Sequence, residues 1–182
     1  MFMTMEKRMR MNVVWLMLPC AVFTMSCNDD DGNGRERMQN QEFVTMAASS
    51  NRFEIEAGEL ASEQGADERV IAFGNHMVMD HGAAATQLTV LATAKGWNIP
   101  DDMLEREREM LEELMTLEGA AFDRAFARMM VTSHEQAVAL FERASGQDGV
   151  FDDDLRAWAA GKLPTLREHL EEARELDEQI NP

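Results

Sequence analysis

The sequence predicts an all-α protein, a four-helix bundle with one short extra helix. From Phe43 onward apolar residues recur at spacings of three and four, and no stretch alternates β-branched with aromatic residues. Tyr is absent, and the four prolines stand at positions 19, 100, 164 and 182. Four long periodic runs joined by short turns, with one short run between the second and third, are the pattern of a bundle. Once its first segment is set aside, the chain is the size of one domain with a full hydrophobic core.

Residues 1–26 read as an export signal. Lys7, Arg8 and Arg10 supply a basic start, Val13 to Met25 an apolar run shorter than the ~20 residues that span a bilayer, and Ser26-Cys27 a small residue before a cysteine. This order resembles bacterial lipoprotein signals, in which that cysteine receives the lipid. Thr24 departs from the pattern, which usually has Leu, Val or Ile there, and Thr24-Met25-Ser26 also passes as the small-x-small site of ordinary cleavage. One expectation is therefore an outer-membrane lipoprotein held to the membrane through a lipid on Cys27, facing the periplasm or the surface. The other is a soluble periplasmic protein. Cys20 lies inside the apolar run, so the exported part keeps one thiol and depends on its core rather than on disulfides. Residues 27–41, rich in Asp, Gly and amides, read as a flexible tether and place the bundle at residues 42–180.

The chain has 17 Lys and Arg against 34 Asp and Glu, net −17, and the exported part is more acidic still. Such a balance excludes the phosphate neutralisation on which nucleic-acid binding rests and disfavours docking on anionic lipid. It favours solubility and attracts cations. A protein partner is not specified by anything in the sequence.

The first helix is expected at about 40–64, with Phe43, Met46, Ser50, Phe53, Ala57 and Leu60 as its stripe. The second, about 67–95, carries Val70, Phe73, Met77, His81, Ala84, Leu88 and Leu91 and stops at Gly96, a residue suited to a left-handed cap. Asp102 with Glu105 has capping-box form and opens a short third helix to about 117, with Leu104, Leu111 and Leu114 inward. The charged run from Glu105 to Glu113 reads as its solvated back. The fourth, about 119–144, turns Phe122, Asp123, Phe126, Met129, Met130, His134, Val138 and Phe141 inward. The fifth, about 152–178, shows Leu155, Trp158, Leu166, His169, Ala173, Leu176 and Ile180, with an interruption expected at Pro164.

His81, His134 and His169 occupy the seams of three different helices, each beside an acidic residue: Asp80, Glu135 and Glu168. Bundle cores are where helical proteins build metal sites, and imidazole and carboxylate suit zinc, iron or copper. Glu54 borders a face of small residues (Ala47, Ser50, Ala57, Gly58, Ala61) and is the candidate fourth ligand. Helical rise puts Glu54 and His81 at similar heights but His134 and His169 about 7 Å apart, and Asp123 about 16 Å from His134. Adjacent residues such as Asp80 and His81 point about 100° apart and do not chelate together. The Glu-x-x-His motifs of di-iron bundles are absent, as are a nucleophile elbow, a phosphate loop, CxxC and HExxH. Met77-Val78-x-x-His81 and Met130-Val131-x-x-His134 raise copper, although methionine at helical spacing is the usual core filler. His76, four residues before Asp80, reads as solvated. Opposite the metal site stands a bland reading, in which core histidines bonded to carboxylates fix the register of the bundle.

Glu54-Ile55-Glu56-x-Gly58-x-Leu60-Ala61, Met77-Val78-x-Asp80-His81, Gly119-Ala120-Ala121-Phe122-Asp123, His134-Glu135-x-Ala137-Val138-x-Leu140-Phe141 and Leu163-Pro164-x-Leu166-x-x-His169-Leu170, with Phe43-Val44 before them, resemble the bacterial family called domain of unknown function 4142. The resemblance covers about residues 42–178. It implies a ferritin-like bundle in an exported protein, brings no established reaction, and makes Glu54, Asp80, His81, Asp123, His134 and His169 motif positions. The expectation for function is a non-enzymatic, membrane-tethered binding or envelope protein. The alternative is a metal-binding bundle using Glu54, Asp80, His81, His134 and His169.

Overall fold

The computed structural model describes residues 37–182. The export signal, the candidate lipidation residue Cys27 and the tether up to residue 36 lie outside the described residues. Among the described residues no helix is long and apolar enough to cross a membrane.

The described residues form five helices in order: α1 (Asn40–Gln64), α2 (Glu68–Lys95), α3 (Glu105–Met115), α4 (Gly119–Ser145) and α5 (Asp153–Ile180). Their ends follow from local chemistry. Asp67 caps α2 by accepting from the backbone N–H of Arg69, and Gly96 closes it at φ 73°, a left-handed conformation that glycine adopts without steric cost. Asp152 caps α5 through the N–H of Leu155. The capping box expected at Asp102 does not form. Met103 packs against the core, the N–H of Leu104 bonds the Ser49 hydroxyl at 2.8 Å, and the helix begins only at Glu105. Leu104 is consequently exposed rather than inward. Glu107 departs from the solvated face expected of it: it is buried, accepts from the Ser49 hydroxyl at 3.0 Å and pairs with Arg106.

Contacts at the helix ends fix the topology. Asp123, near the start of α4, accepts from the N–H groups of Ala66 and Asp67 at 3.0 Å each, so α4 begins where α2 begins. Lys95, at the end of α2, pairs at 2.7 Å with Asp152 and Asp154 at the start of α5. α2 and α4 therefore run parallel, each antiparallel to its sequence neighbour, and the connection containing α3 crosses the length of the bundle. One long crossover is the ferritin-like arrangement. The folded body also starts earlier than residue 42: Met38 is buried, and the Arg37 guanidinium donates to the carbonyl of Val150 at 2.9 Å.

Two further expectations, one on α1 and one on α5, are corrected. On α1 the expected Phe43, Phe53 and Ala57 are buried, but the buried face continues through Val44, Ala47, Asn51, Glu54, Gly58 and Ala61, while Met46, Ser50 and Leu60 lie at its partly exposed edge. The small residues let α2 approach so closely that a Cβ placed on Gly74 would lie 2.6 Å from the Ala61 Cβ and 2.9 Å from the Gly58 carbonyl oxygen. We expect Gly74→Ala to cost about 1–3 kcal/mol through this overpacking. Urea denaturation reads the cost directly, and an unchanged midpoint would contradict the close approach. On α5, Pro164 leaves the helix unbroken. Pro164 and Ala160 both lie on the exposed face, so the carbonyl freed at Ala160 is open to water.

The core falls into two apolar clusters. One joins Phe53, Phe73, Met77, Leu114, Phe122, Phe126, Met130 and Ala173; the other joins Phe43, Val44, Leu88, Phe141, Leu155 and Leu166. Along every long helix the two are separated by a polar step: Asn51 and Glu54 on α1, His81 on α2, Ser133 and His134 on α4, His169 on α5. A polar layer thus crosses the middle of the bundle, between the two apolar clusters.

Candidate metal centre

The layer brings the three seam histidines together. The ring centroids of His81, His134 and His169 form a nearly equilateral triangle with sides of 5.6, 5.5 and 5.5 Å, and one ligand atom from each lies within 4.8 Å of the others. All three are buried, His134 completely. The 7 Å offset expected between His134 and His169 is therefore absent. It is absorbed at the α4–α5 connection: Gly146 to Asp152 separate the two helices, which lets α5 start further out than α4 ends, without a break at Pro164.

Each ring is held by an acceptor on its far nitrogen. His134 Nδ1–H donates to the backbone carbonyl of Met130 at 2.9 Å, which leaves the lone pair on Nε2. His81 Nδ1 bonds Asn51 Oδ1 at 2.9 Å, and His169 Nε2 bonds the Asp80 carboxylate at 3.1 Å. The remaining nitrogens, Nε2 of His81, Nε2 of His134 and Nδ1 of His169, are buried without a hydrogen-bond partner. Leaving three imidazole lone pairs unpaired in a core costs free energy, on the order of 1–3 kcal/mol each, unless something accepts them. Ligating histidines are usually oriented in this way, with a carbonyl or carboxylate on the other nitrogen.

The protonation states match. Burial holds His134 down to about 4, against the opposing hydrogen bond to Met130. His81 is held well below its ordinary value, first by burial and then by the neighbouring rings of His134 and His169. His169 is lowered by burial and by His134, with Asp80 opposing. All three are neutral at pH 7, the form that binds metal. Burial pushes the Glu54 carboxyl the other way, up to about 8, and the hydrogen bond from the Ser133 hydroxyl offsets only part of this.

The other candidate residues take different places. Glu54 stands beside the trio rather than in it. Its Oε1 lies 3.8 Å from His134 Nδ1, the nitrogen already bonded to Met130, and its buried Oε2 has no partner. Asp80 is half-exposed and bonds the outer nitrogen of His169, which makes it a positioning group for the trio. Asp123 sits away from the layer and holds the α1–α2 turn through its two backbone bonds. Met77 and Met130 belong to the apolar cluster adjoining the layer, as core filler would.

The sequence reading passed over Asn51, Ser133 and the Met130 carbonyl. The first two are polar residues on buried helix faces at the height of a seam histidine, and that coincidence was the available signal. It also took His76 as solvated. His76 is half-exposed, with Nε2 3.4 Å from Asp80 and Nδ1 3.3 Å from Glu172.

The family model described as Domain of unknown function (DUF4142) matches residues 28–176. A comparison with curated proteins finds no match. Among solved structures, CopM in the Cu(II)-bound form is similar, with a TM-score of 0.62 and 15% sequence identity, over 79% of this chain and 98% of that one. At that identity the likeness is one of fold.

Proposed function

The chain belongs to the family described as Domain of unknown function (DUF4142), and we propose that within it this protein is a metal-binding bundle whose ligands are His81, His134 and His169. The observation that carries this is the convergence of three buried, neutral imidazole rings, each with one unpartnered nitrogen and with an acceptor on the other. A purely structural histidine layer would have its nitrogens bonded to one another or to carboxylates.

Three imidazoles with an open fourth position suit a borderline divalent ion, zinc or copper(II). Copper(II) is the first to test, since the similar fold of CopM is known in a Cu(II)-bound form. The net charge of −17 supports concentration of cations at the surface. The role is holding or delivering an ion, and the basic, apolar and Ser26-Cys27 pattern of the first residues supports exercising it in the cell envelope, anchored through a lipid on Cys27.

The test is equilibrium uptake. Wild-type protein dialysed against Cu(II) or Zn(II) retains one ion per chain after passage over a weak chelator. His134→Ala, which removes the most deeply buried ligand, retains none. Equal metal content in the two proteins would overturn the proposal.

A further inference from the structure

A second cluster of ligand-type atoms lies outside the buried trio and shares one member with it. His76, Asp80 and His169 bring one ligand atom each within 4.8 Å of one another. Asp80 Oδ2 stands 3.4 Å from His76 Nε2 and 3.1 Å from His169 Nε2, and the His76 and His169 rings are 5.0 Å apart. The far nitrogen of His76, Nδ1, is 3.3 Å from Glu172. A hydrogen bond there leaves the His76 lone pair on Nε2, facing Asp80 and His169. The ring-and-acceptor logic of the buried trio is thus repeated nearer the surface.

Exposure falls in steps along this line. The side chains of His76 and Asp80 are each 38% exposed, His169 is 2% exposed, and His134 is sealed. His169 presents Nε2 to the outer cluster and keeps Nδ1 as its unpartnered nitrogen on the inner side. The cavity of about 220 Å³ that also reaches His81 and His169 is lined by both Asp80 and Lys162. On the His76 side Asp80 is joined by a second carboxylate, Glu172, 3.3 Å from His76 Nδ1.

We propose that His76, Asp80 and His169 form an entry station for a divalent transition-metal ion, from which His169 passes the ion to the buried site. This rests on the buried trio being a metal site. An arriving ion is held by His76 Nε2, Asp80 Oδ2 and His169 Nε2, the His169 proton residing on Nδ1. As the ion moves inward it exchanges His169 Nε2 for Nδ1, and the ring's one proton moves the opposite way, from Nδ1 to Nε2, where Asp80 accepts its hydrogen bond. The imidazole stays neutral throughout, and no proton is gained or lost at His169. A neutral ring ligates through one nitrogen at a time, so the two positions fill in succession.

The experiment is stopped-flow loading of metal-free protein with one equivalent of Cu(II), followed by quenching of Trp158, which lines the cavity with His81 and His169. His76→Ala slows loading tenfold or more. Asp80→Asn, which keeps an acceptor for His169 Nε2–H but loses the anionic ligand, slows it as well. The melting temperature of each metal-free variant, measured alongside, separates slow entry from a damaged fold. Variants that are stable and load at the wild-type rate overturn the entry station while leaving the buried site standing. A wild-type chain that takes up no ion overturns both.

Discussion

Saturating Cu(II) or Zn(II) raises the melting temperature of the metal-free protein by roughly 10 °C. An ion at a thousandfold excess over its dissociation constant stabilises the native state by about 4 kcal/mol, and a domain of this size gains about 2–4 °C per kcal/mol. The increment arises because three imidazoles converge only in the folded chain; they come from α2, α4 and α5, up to 88 positions apart in sequence. Removing one ligand should remove the effect. In the double variant His81→Leu with Asn51→Leu the shift falls to a degree or two. That pair is changed together because the two side chains bond each other at 2.9 Å in the core. Replacing both with apolar groups orphans neither, so the metal-free double variant melts no lower than its parent. A full metal shift retained in that variant would mean that the ion binds elsewhere.

The second large effect belongs to Glu54. Its carboxyl is pushed from 4.5 to about 8 in the folded protein, so between those values the native state holds a proton that the unfolded state has released. Stability therefore falls as pH rises through this window. The histidines act with the opposite sign. With His134 at about 4 in the fold against 6.5 unfolded, and His81 and His169 also lowered, the unfolded chain binds more protons below 6.5, and stability rises with pH up to that value. At 6.5 the unfolded histidines are still half protonated, so their contribution keeps rising for about one pH unit more, and Glu54 is isolated by comparison with a variant that lacks its charge. From pH 6.5 to 8 the metal-free protein should lose about 1.5 kcal/mol relative to Glu54→Gln, at no more than about 1.4 kcal/mol for each pH unit. Glu54→Gln keeps an oxygen to accept from Ser133 and carries no charge, so its denaturation midpoint does not fall across the same range. A wild-type midpoint that runs parallel to that of the variant would place the carboxylate, not the acid, in the layer.

Helix content and order were legible in the sequence because the turn chemistry was local. Asp67 and Asp152 cap where they stand, and Gly96 adopts the left-handed φ it was expected to supply. Distant groups are not legible in this way. Asp102 has the form of a cap, but Ser49 takes the N–H of Leu104, Met103 packs partly buried against the core, and the helix begins only at Glu105. Half of the expected α1 stripe, Phe43, Phe53 and Ala57, is buried, and Asn51 fell outside it because hydrophobic periodicity assigns polar residues to solvent. That three histidines lie in seams was visible from spacing alone. Their common height was not, since it depends on how far the Gly146–Asp152 connection carries α5 beyond the end of α4. Nor could spacing separate Glu54, beside the trio, from a ligand within it: that distinction is a matter of which nitrogen of His134 it faces.

The most direct measurement is the electron paramagnetic resonance spectrum of the protein loaded with one equivalent of Cu(II). Coordination by His81, His134 and His169 predicts hyperfine splitting from three imidazole nitrogens, reduced to two or fewer when any one of the three is replaced. A spectrum of solvated copper, or one unchanged by His134→Ala, would contradict the account.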